Sequence, residues 1–201
     1  MDDSNPAGPE GRPLDPMSLE SILLRATSAP SAHNLQPWRF LVVLDERNRR
    51  RLRSIARNRP EITRAPAVAV VLAYHFPDRT HLEPMLERAV EAGSCPSKKA
   101  AEIRGRVAAF GRRLDHQAWA SRTAMLAASR LMLAAESLGV AATLIEEFDA
   151  EALRAEFGVP DDHSICCLIP LGHEPEPDPT PGRLGLDEVG FAEHFGQPWR
   201  A

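Results

Sequence analysis

Cysteine is scarce in this chain, and its pattern excludes two common uses of the residue. The three cysteines, Cys95, Cys166 and Cys167, have no metal-ligand spacing, and two of them are neighbours inside an apolar run. A small, odd number of cysteines is typical of the reducing cytoplasm and not of a disulfide-linked secreted fold. We therefore expect a cytoplasmic protein whose cysteines are small hydrophobic side chains.

Long apolar segments and strong charge of one sign are missing as well. No stretch reaches the ~20 apolar residues that a membrane helix needs, and residues 1–30 contain no signal-peptide core. The net charge of −4 produces no overall attraction to nucleic acid or to an anionic membrane. We expect neither of these partners.

Motifs for metal, nucleotide or triad chemistry are also absent. The seven histidines are scattered, and none forms a recognised metal pattern with another histidine, a cysteine or a carboxylate. The sequence contains no G-x-S-x-G, no G-x-G-x-x-G and no Walker loop. We expect no metal site, and no catalytic side chain is identified.

Arginine is concentrated in one segment, with eight arginines between Arg47 and Arg64. A nucleic-acid site would need aromatic stacking residues or a groove-filling element nearby, and neither is present. We interpret the arginines as the solvated face of an amphipathic helix that buries Leu52 and Ile55.

The remaining pattern is one of helices separated by a few apolar strands. Asp15 and Pro16 predict the start of a first helix, and Gly139 predicts the end of an apolar helix over residues 118–138. In the middle of the chain, Pro84 is expected to open one helix and Ser97 to cap another that runs toward Leu114.

Strands covered on both faces are predicted at residues 39–44, 66–74 and 164–172, with a short strand at 140–145. This layout favours an α+β fold with one central sheet. Residues 1–13 are expected to be disordered or extended, and residues 14–201 to form one domain.

The segment SAPSAHNLQPWRF, residues 28–40, joins the first helix to the first strand and is unusually polar. Ser31, Asn34 and Gln36 offer donors and acceptors, while Pro30 and Pro37 stiffen the backbone around them. Such a turn can hold a flat heteroaromatic ligand. A structural loop after a helix C-cap is the alternative interpretation.

From this turn onward the sequence resembles the nitroreductase family. APSAHNLQPWRFLVV is followed in the expected order by MLAASRLMLAAESLGV, LIEEFD, LRAEFGVPDD with LIPLGHEPEP, and PGRLGLDEV with FGQPW. The LIEEFD segment is similar to the P-x-E-G-F-D of the family. The resemblance extends from Arg12 to Trp199 and is carried by the order of the motifs.

The resemblance implies a nitroreductase-like α+β fold, with a central mixed sheet surrounded by helices, that forms a homodimer with FMN at the subunit interface. It also implies electron transfer from a reduced nicotinamide to a nitroaromatic, quinone-like or other conjugated acceptor. Flavin contacts are implied for Pro30, Ser31, Ala32, His33, Asn34 and Gln36, with Glu146 and Glu147 near the reactive edge of the ring and Arg183 facing the phosphate.

Two features depart from the family pattern. Counting back without gaps from the turn, the place of the family's phosphate-binding arginines falls on Asp3–Ala7, which contains no arginine. Losing two such hydrogen bonds, at about 1.5–3 kcal/mol each, weakens binding by a factor on the order of 10²–10⁴. Arg183, Arg25 or Arg39 would compensate in part if nearby, and Glu147 stands where the family has glycine.

Two hypotheses therefore stay open. The first is an FMN-dependent oxidoreductase with a divergent phosphate site. The second is a nitroreductase-fold protein that has lost flavin and serves as a binding or assembly subunit, in a homodimer or with a related chain that supplies the missing arginines.

Overall fold

The computed structural model describes residues 13–172 and 182–199. Its helices are α1 Pro16–Thr27, α2 Glu46–Ile55, α3 Glu61–Arg64, α4 Pro77–Thr80, α5 Leu82–Glu91, α6 Ser97–Gly111, α7 His116–Ser137, α8 Ala150–Phe157 and α9 Leu186–Val189. Its strands are β1 Trp38–Val43, β2 Ala67–Tyr74, β3 Ala141–Ala142 and β4 His163–Gly172. The expectation of an extended segment over residues 1–13 falls, apart from Pro13, outside the described residues.

The strands form one sheet in the order β1-β2-β4-β3, and each neighbouring pair is antiparallel. Trp38 lies opposite Ala73 in the first pair, and Tyr74 lies opposite His163 in the second. The central sheet and its surrounding helices confirm the predicted α+β architecture. The predicted mixed character is wrong for the described strands, because no parallel pair occurs among them.

The two faces of β2 contact different sets of helices. Ala69, Val71 and Ala73 join a core that includes buried residues of α1 and α7. Val68 and Val70 point the other way, into a core that includes Leu52 of α2 and Leu153 of α8. This alternation buries seven of the eight residues of β2, as predicted for a strand covered on both faces.

Strand β1 is less buried than predicted. It lies at the edge of the sheet, only its two terminal residues are buried, and Leu44 lies outside it with 56% of its surface exposed. An edge strand has one neighbour, so its apolar sequence does not guarantee cover on both faces. The predicted strand at 140–145 is also shorter, with β3 covering Ala141–Ala142 and Ile145 forming an isolated bridge to Leu168.

Helix ends follow the capping signals in most places. Asp15 accepts from the backbone N–H of Ser18 at 2.9 Å, and Gly139 adopts φ +68° just beyond α7. Two predicted starts are wrong. Pro84 is the third residue of α5 because that helix begins at Leu82, and Ser97 is the first residue of α6 while Pro96 takes the capping position. The long helix α7 begins two residues early, where Asp115 caps it.

Candidate functional site

The polar turn between α1 and β1 has an unusual backbone. His33, Asn34 and Gln36 have φ values of +55°, +58° and +47°, all in the left-handed region. Residues other than glycine rarely adopt such values, although histidine and asparagine tolerate them better than most. Each costs about 1–3 kcal/mol, and such strain concentrates at ligand sites.

Hydrogen bonds within the turn hold this conformation. The Gln36 N–H donates to the Ser31 hydroxyl at 3.1 Å, and the Gln36 side-chain amide donates to the Asn34 carbonyl at 3.1 Å. A single 3₁₀ turn over Ala32–Asn34 continues the pattern, with the Leu35 N–H donating to the Ala32 carbonyl. The turn is therefore fixed mainly by its own atoms.

The turn faces outward instead of packing into the interior. Pro30, Ala32 and Asn34 are exposed, while Ser31, His33 and Gln36 are half-buried. Leu35, in contrast, is only 1% exposed and anchors the turn to the core. Several polar groups thus stand in fixed directions on an accessible surface.

Neighbouring elements support the turn from outside. The Tyr74 N–H at the end of β2 donates to the Pro37 carbonyl at 2.8 Å. The His81 Nδ1 bonds the Leu35 carbonyl at 2.9 Å, and its Nε2 contacts the Arg39 guanidinium. Sequence reasoning did not identify His81, since no local signal connects it with a turn more than forty residues earlier.

An aromatic series links the turn to α6 and α7. The His33 and Phe110 rings meet edge to face at a centroid distance of 5.4 Å, and Phe110 meets Trp119 at 5.8 Å. Phe110 lies in the part of the sequence, residues 76–116, that carries no interpretable motif. The structure shows that this part of the chain supplies one wall of the turn.

The other predicted site residues lie on separate elements. Glu146 and Glu147 are exposed and follow Ile145, whose N–H and carbonyl both pair with Leu168 at 2.9 Å. Arg183 is exposed and precedes α9. Among the described residues, no hydrogen bond or ion pair joins these three to the turn.

The adjacent cysteines lie in β4, where burial controls their ionisation. Burial raises the pKa of Cys166 to about 11 and that of Cys167 to about 12, with the neighbouring Cys166 thiol and Glu146 adding to the second shift. All three cysteines are free thiols. Both β4 thiols are therefore protonated at neutral pH and are poor nucleophiles.

Two arginines of helix α2, and one arginine that follows it, form ion pairs. Arg50 pairs with Glu46 at 2.5 Å, Arg51 with Glu156 on α8 at 2.5 Å, and Arg59 with Glu61 at 3.0 Å. Leu52 is fully buried beneath them. The helix thus has the predicted amphipathic form, although Ile55, predicted to be buried, is only half-buried.

Neither a metal-binding cluster nor a membrane span occurs in residues 13–172 and 182–199. No group of three or more histidine, cysteine, aspartate or glutamate side chains is arranged to hold a metal ion there. No helix within those ranges has the length and apolarity needed to cross a membrane.

A concave surface lies at the end of α7 that adjoins β3. This groove has a volume of about 640 Å³ and is mainly apolar. Met125, Met132, Leu133 and Leu144 are among its lining residues. Leu133 is 61% exposed, and Leu126 on the same helix is 48% exposed. We call this surface the α7 groove.

Comparison with known proteins identifies the fold and the family. The Nitroreductase family profile matches residues 10–173. A Thermus thermophilus protein named NADH dehydrogenase is 34% identical over 85% of this chain and 82% of the relative. An oxygen-insensitive NAD(P)H nitroreductase of Salmonella typhimurium is 30% identical over 72% of each chain.

A solved structure extends the comparison to three dimensions. A protein from Exiguobacterium sibiricum, solved in complex with FMN, superposes with a TM-score of 0.84 over 92% of this chain and 90% of its own. Its sequence identity is 22%, so this likeness speaks for the fold. The predicted resemblance is confirmed, and the chain belongs to the nitroreductase family of flavin-dependent oxidoreductases.

Proposed function

We propose that this protein binds FMN and passes electrons from a reduced nicotinamide to a small conjugated, nitroaromatic or quinone-like acceptor. The observation that carries the proposal is the outward-facing turn with three left-handed residues, His33, Asn34 and Gln36. A backbone held in this way presents fixed donors and acceptors without reorganising when a planar ligand arrives.

The residues present suit a flavin. Ser31, Asn34 and Gln36 carry hydrogen-bonding groups for the polar edge of the ring, and Pro30, Ala32 and His33 complete the same surface. Glu146 and Glu147 would supply backbone N–H groups near the reactive edge, and Arg183 a cation for the phosphate. When bound, FMN supplies the hydride and electron chemistry, while these residues bind and orient it.

Glu147 affects this site through its charge. An exposed carboxylate beside the ring disfavours the anionic reduced form of a flavin, because like charges repel. No titratable side chain is required as a proton donor in this proposal. The role of the chain is to position the flavin ring and to keep other molecules away from one face of that ring.

Phosphate binding is the weaker part of the site. The segment Asp3–Ala7, where the family has arginines, lies outside the described residues and contains none in sequence. Arg39 is already engaged, because its guanidinium donates to the Trp38 carbonyl at 2.7 Å and contacts His81. Arg183 and Arg25 are exposed and stay candidates.

We further propose that the active form is a homodimer. The α7 groove and the exposed side chains of residues 184–199, including Phe195 at 92% and Trp199 at 50%, leave much apolar surface in contact with water. A second copy that covers these surfaces would also bring Glu146, Glu147 and Arg183 of one subunit toward the turn of the other. Light scattering of the protein and of Leu133→Arg tests this, and a monomer at micromolar concentration in both would contradict it.

The alternative is a flavin-free binding or assembly subunit, favoured by the absence of arginine at Asp3–Ala7 and by Glu147 in place of glycine. In that form the chain would pair with a related one that supplies the arginines. A stable complex with such a chain, together with no binding of FMN, would support this alternative.

The visible absorption spectrum distinguishes the two functions. We expect the purified protein, or the protein incubated with FMN and desalted, to keep a flavin band and to oxidise NADH or NADPH when a quinone or nitroaromatic is added. A chain that stays colourless after incubation and does not oxidise either nicotinamide would overturn the proposal. A cytoplasmic location stays a prediction, which cell fractionation tests.

A further inference from the structure

His81 lies between α4 and α5 and connects these helices to the polar turn. Its own backbone is fixed, since its N–H donates to the Pro77 carbonyl at 2.8 Å and its carbonyl accepts from Met85 at 3.0 Å. Its ring is half-buried, and its two nitrogens face two different groups. One is the Leu35 carbonyl, and the other is the Arg39 guanidinium.

These two contacts determine which nitrogen of His81 carries the proton. A carbonyl only accepts, so Nδ1, at 2.9 Å from the Leu35 oxygen, must carry a hydrogen. A guanidinium only donates, so Nε2, which faces Arg39, must be free of hydrogen. The contacts are satisfied together only by the neutral ring with its proton on Nδ1.

The group that His81 holds is central to the turn. Leu35 lies between Asn34 and Gln36, two of the residues with left-handed φ. Its side chain is buried, so its carbonyl has little freedom except through rotation of the peptide that continues into Gln36. Movement of this carbonyl would therefore change the direction of the Gln36 N–H, which donates to Ser31 at 3.1 Å.

We propose that His81 is a positioning residue for the flavin turn, and that protonation of its Nε2 disconnects Arg39 and loosens the turn. A protonated Nε2 would place its hydrogen against those of the guanidinium, so two positive groups would meet without an acceptor between them. The guanidinium is held by the Trp38 carbonyl at 2.7 Å, so the ring moves away from it and the Leu35 carbonyl loses its fixed donor. This inference rests on the proposed flavin function.

The surroundings of His81 agree with a neutral ring. Burial lowers its pKa from the ordinary value of 6.5, and the Arg39 charge lowers it further, while the Leu35 hydrogen bond acts in the opposite direction. The Tyr74 ring faces it from β2 at a centroid distance of 5.6 Å. His163, behind Tyr74, is 2.7 Å from Asp162, and Glu83 of α5 is paired with Arg104.

The direction of the pH effect follows from this shift. The folded chain binds the His81 proton less tightly than the unfolded chain does, so acid favours the disconnected form. The contact with Arg39 is complete above pH 6.5 and is lost as the pH falls through the lowered pKa. Flavin affinity should therefore decrease on the acid side.

Flavin titrations at pH 8 and pH 5 test this with two probes. Riboflavin is used beside FMN because the FMN phosphate itself titrates near pH 6. We expect the dissociation constant of both to rise about tenfold or more from pH 8 to pH 5 in the unmodified protein, as expected for one lost hydrogen bond to a charged group. His81→Gln, whose amide can accept from Arg39 but cannot titrate, should show no such rise with riboflavin.

Two further variants distinguish positioning from general stability. His81→Phe keeps a ring of similar size without hydrogen bonds, so at pH 8 it should bind riboflavin about tenfold more weakly than His81→Gln. His75→Gln is the matched control, since burial also lowers the pKa of His75 but its Nε2 bonds Ser164 at 2.8 Å and not the turn. It should keep the pH dependence of the unmodified protein.

Equal pH dependence in the unmodified protein and in His81→Gln would overturn the positioning role. If no flavin binds at pH 8, the proposed function fails, and amide hydrogen exchange at Gln36 still decides the role of His81. The exchange rate at each pH is first corrected for the intrinsic rate of the amide. Faster corrected exchange at pH 5 in the unmodified protein, but not in His81→Gln, supports the positioning role. The same exchange in both variants overturns it.

Discussion

The backbone N–H of Gln36 donates to the hydroxyl of Ser31 across 3.1 Å and closes the turn between α1 and β1 on itself. Gln36 has φ +47°, so this bond stabilises a conformation that the residue would otherwise avoid. The conformation of Gln36 therefore depends in part on one hydroxyl group, and that dependence can be tested.

Ser31→Ala removes the acceptor of the Gln36 N–H. We expect a loss of about 1–2 kcal/mol in the free energy of unfolding, because a half-buried donor is left without its partner. Flavin affinity should fall at the same time. Ser54→Ala is the control: its hydroxyl bonds the Arg51 carbonyl within an exposed helix, and it should change stability by less than about 0.5 kcal/mol.

Asn34→Ala should lower flavin occupancy more than Arg57→Ala. The two residues are well matched, since both are exposed and both have left-handed φ, +58° and +48°. Alanine would occupy a left-handed conformation at both positions, although asparagine tolerates that conformation better than arginine does, and only Asn34 lies in the polar turn. The flavin-to-protein absorbance ratio after desalting measures the effect. Equal occupancy in the two variants would count against the site.

Glu147→Gly should raise the reduction potential of bound FMN or tighten its binding. Removing an exposed carboxylate near the ring favours the reduced anion by roughly 0.5–1 kcal/mol, which corresponds to about 10–20 mV for a two-electron couple. Glu147→Gln separates charge from size, because it keeps the bulk. Redox titration against a dye checks this, and a lower potential with weaker binding in Glu147→Gly would contradict it.

Cys166 and Cys167 should react slowly with a thiol reagent in the folded protein. Burial raises the pKa of Cys166 to about 11 and that of Cys167 to about 12, whereas an unfolded cysteine titrates near 8.5. At pH 8 the folded chain therefore holds a much smaller thiolate fraction, and labelling should be slower by roughly two orders of magnitude at Cys166 and roughly three at Cys167. The test uses Cys95→Ser, so that only the β4 thiols are counted, and compares it with the same chain in urea. Equal rates in both states would show that these thiols are not protected.

Local signals predicted most of the secondary structure. Asp15 caps the helix that follows it, and Gly139 adopts a left-handed φ just beyond the end of α7. The predictions fail where the position of a segment in the sheet, or its packing against other helices, decides its burial or its ends. Strand β1 is apolar enough to be covered on both faces, yet it lies at an edge, and edge position is a property of the whole topology.

Part of the candidate site could be recognised in the same way, and part could not. Ser31, Asn34 and Gln36 stand in one short segment with proline on each side, so their concentration is visible in the sequence. His81 and Phe110 belong to segments without any motif, and they reach the turn only because α5 and α6 fold back against it. Contacts over such separations depend on packing, which local patterns do not encode.

The sequence by itself determined the family, the capped helices and the polar turn, because each of these depends on residue order over a short range. The tertiary structure decided the orientation of that turn, the exposure of the α7 groove and the protonation state of His81. The sequence does not specify which ring nitrogen of a histidine carries the proton. Its state here follows from the Leu35 carbonyl on one side and the Arg39 guanidinium on the other, and only the folded chain brings these two groups to the same ring.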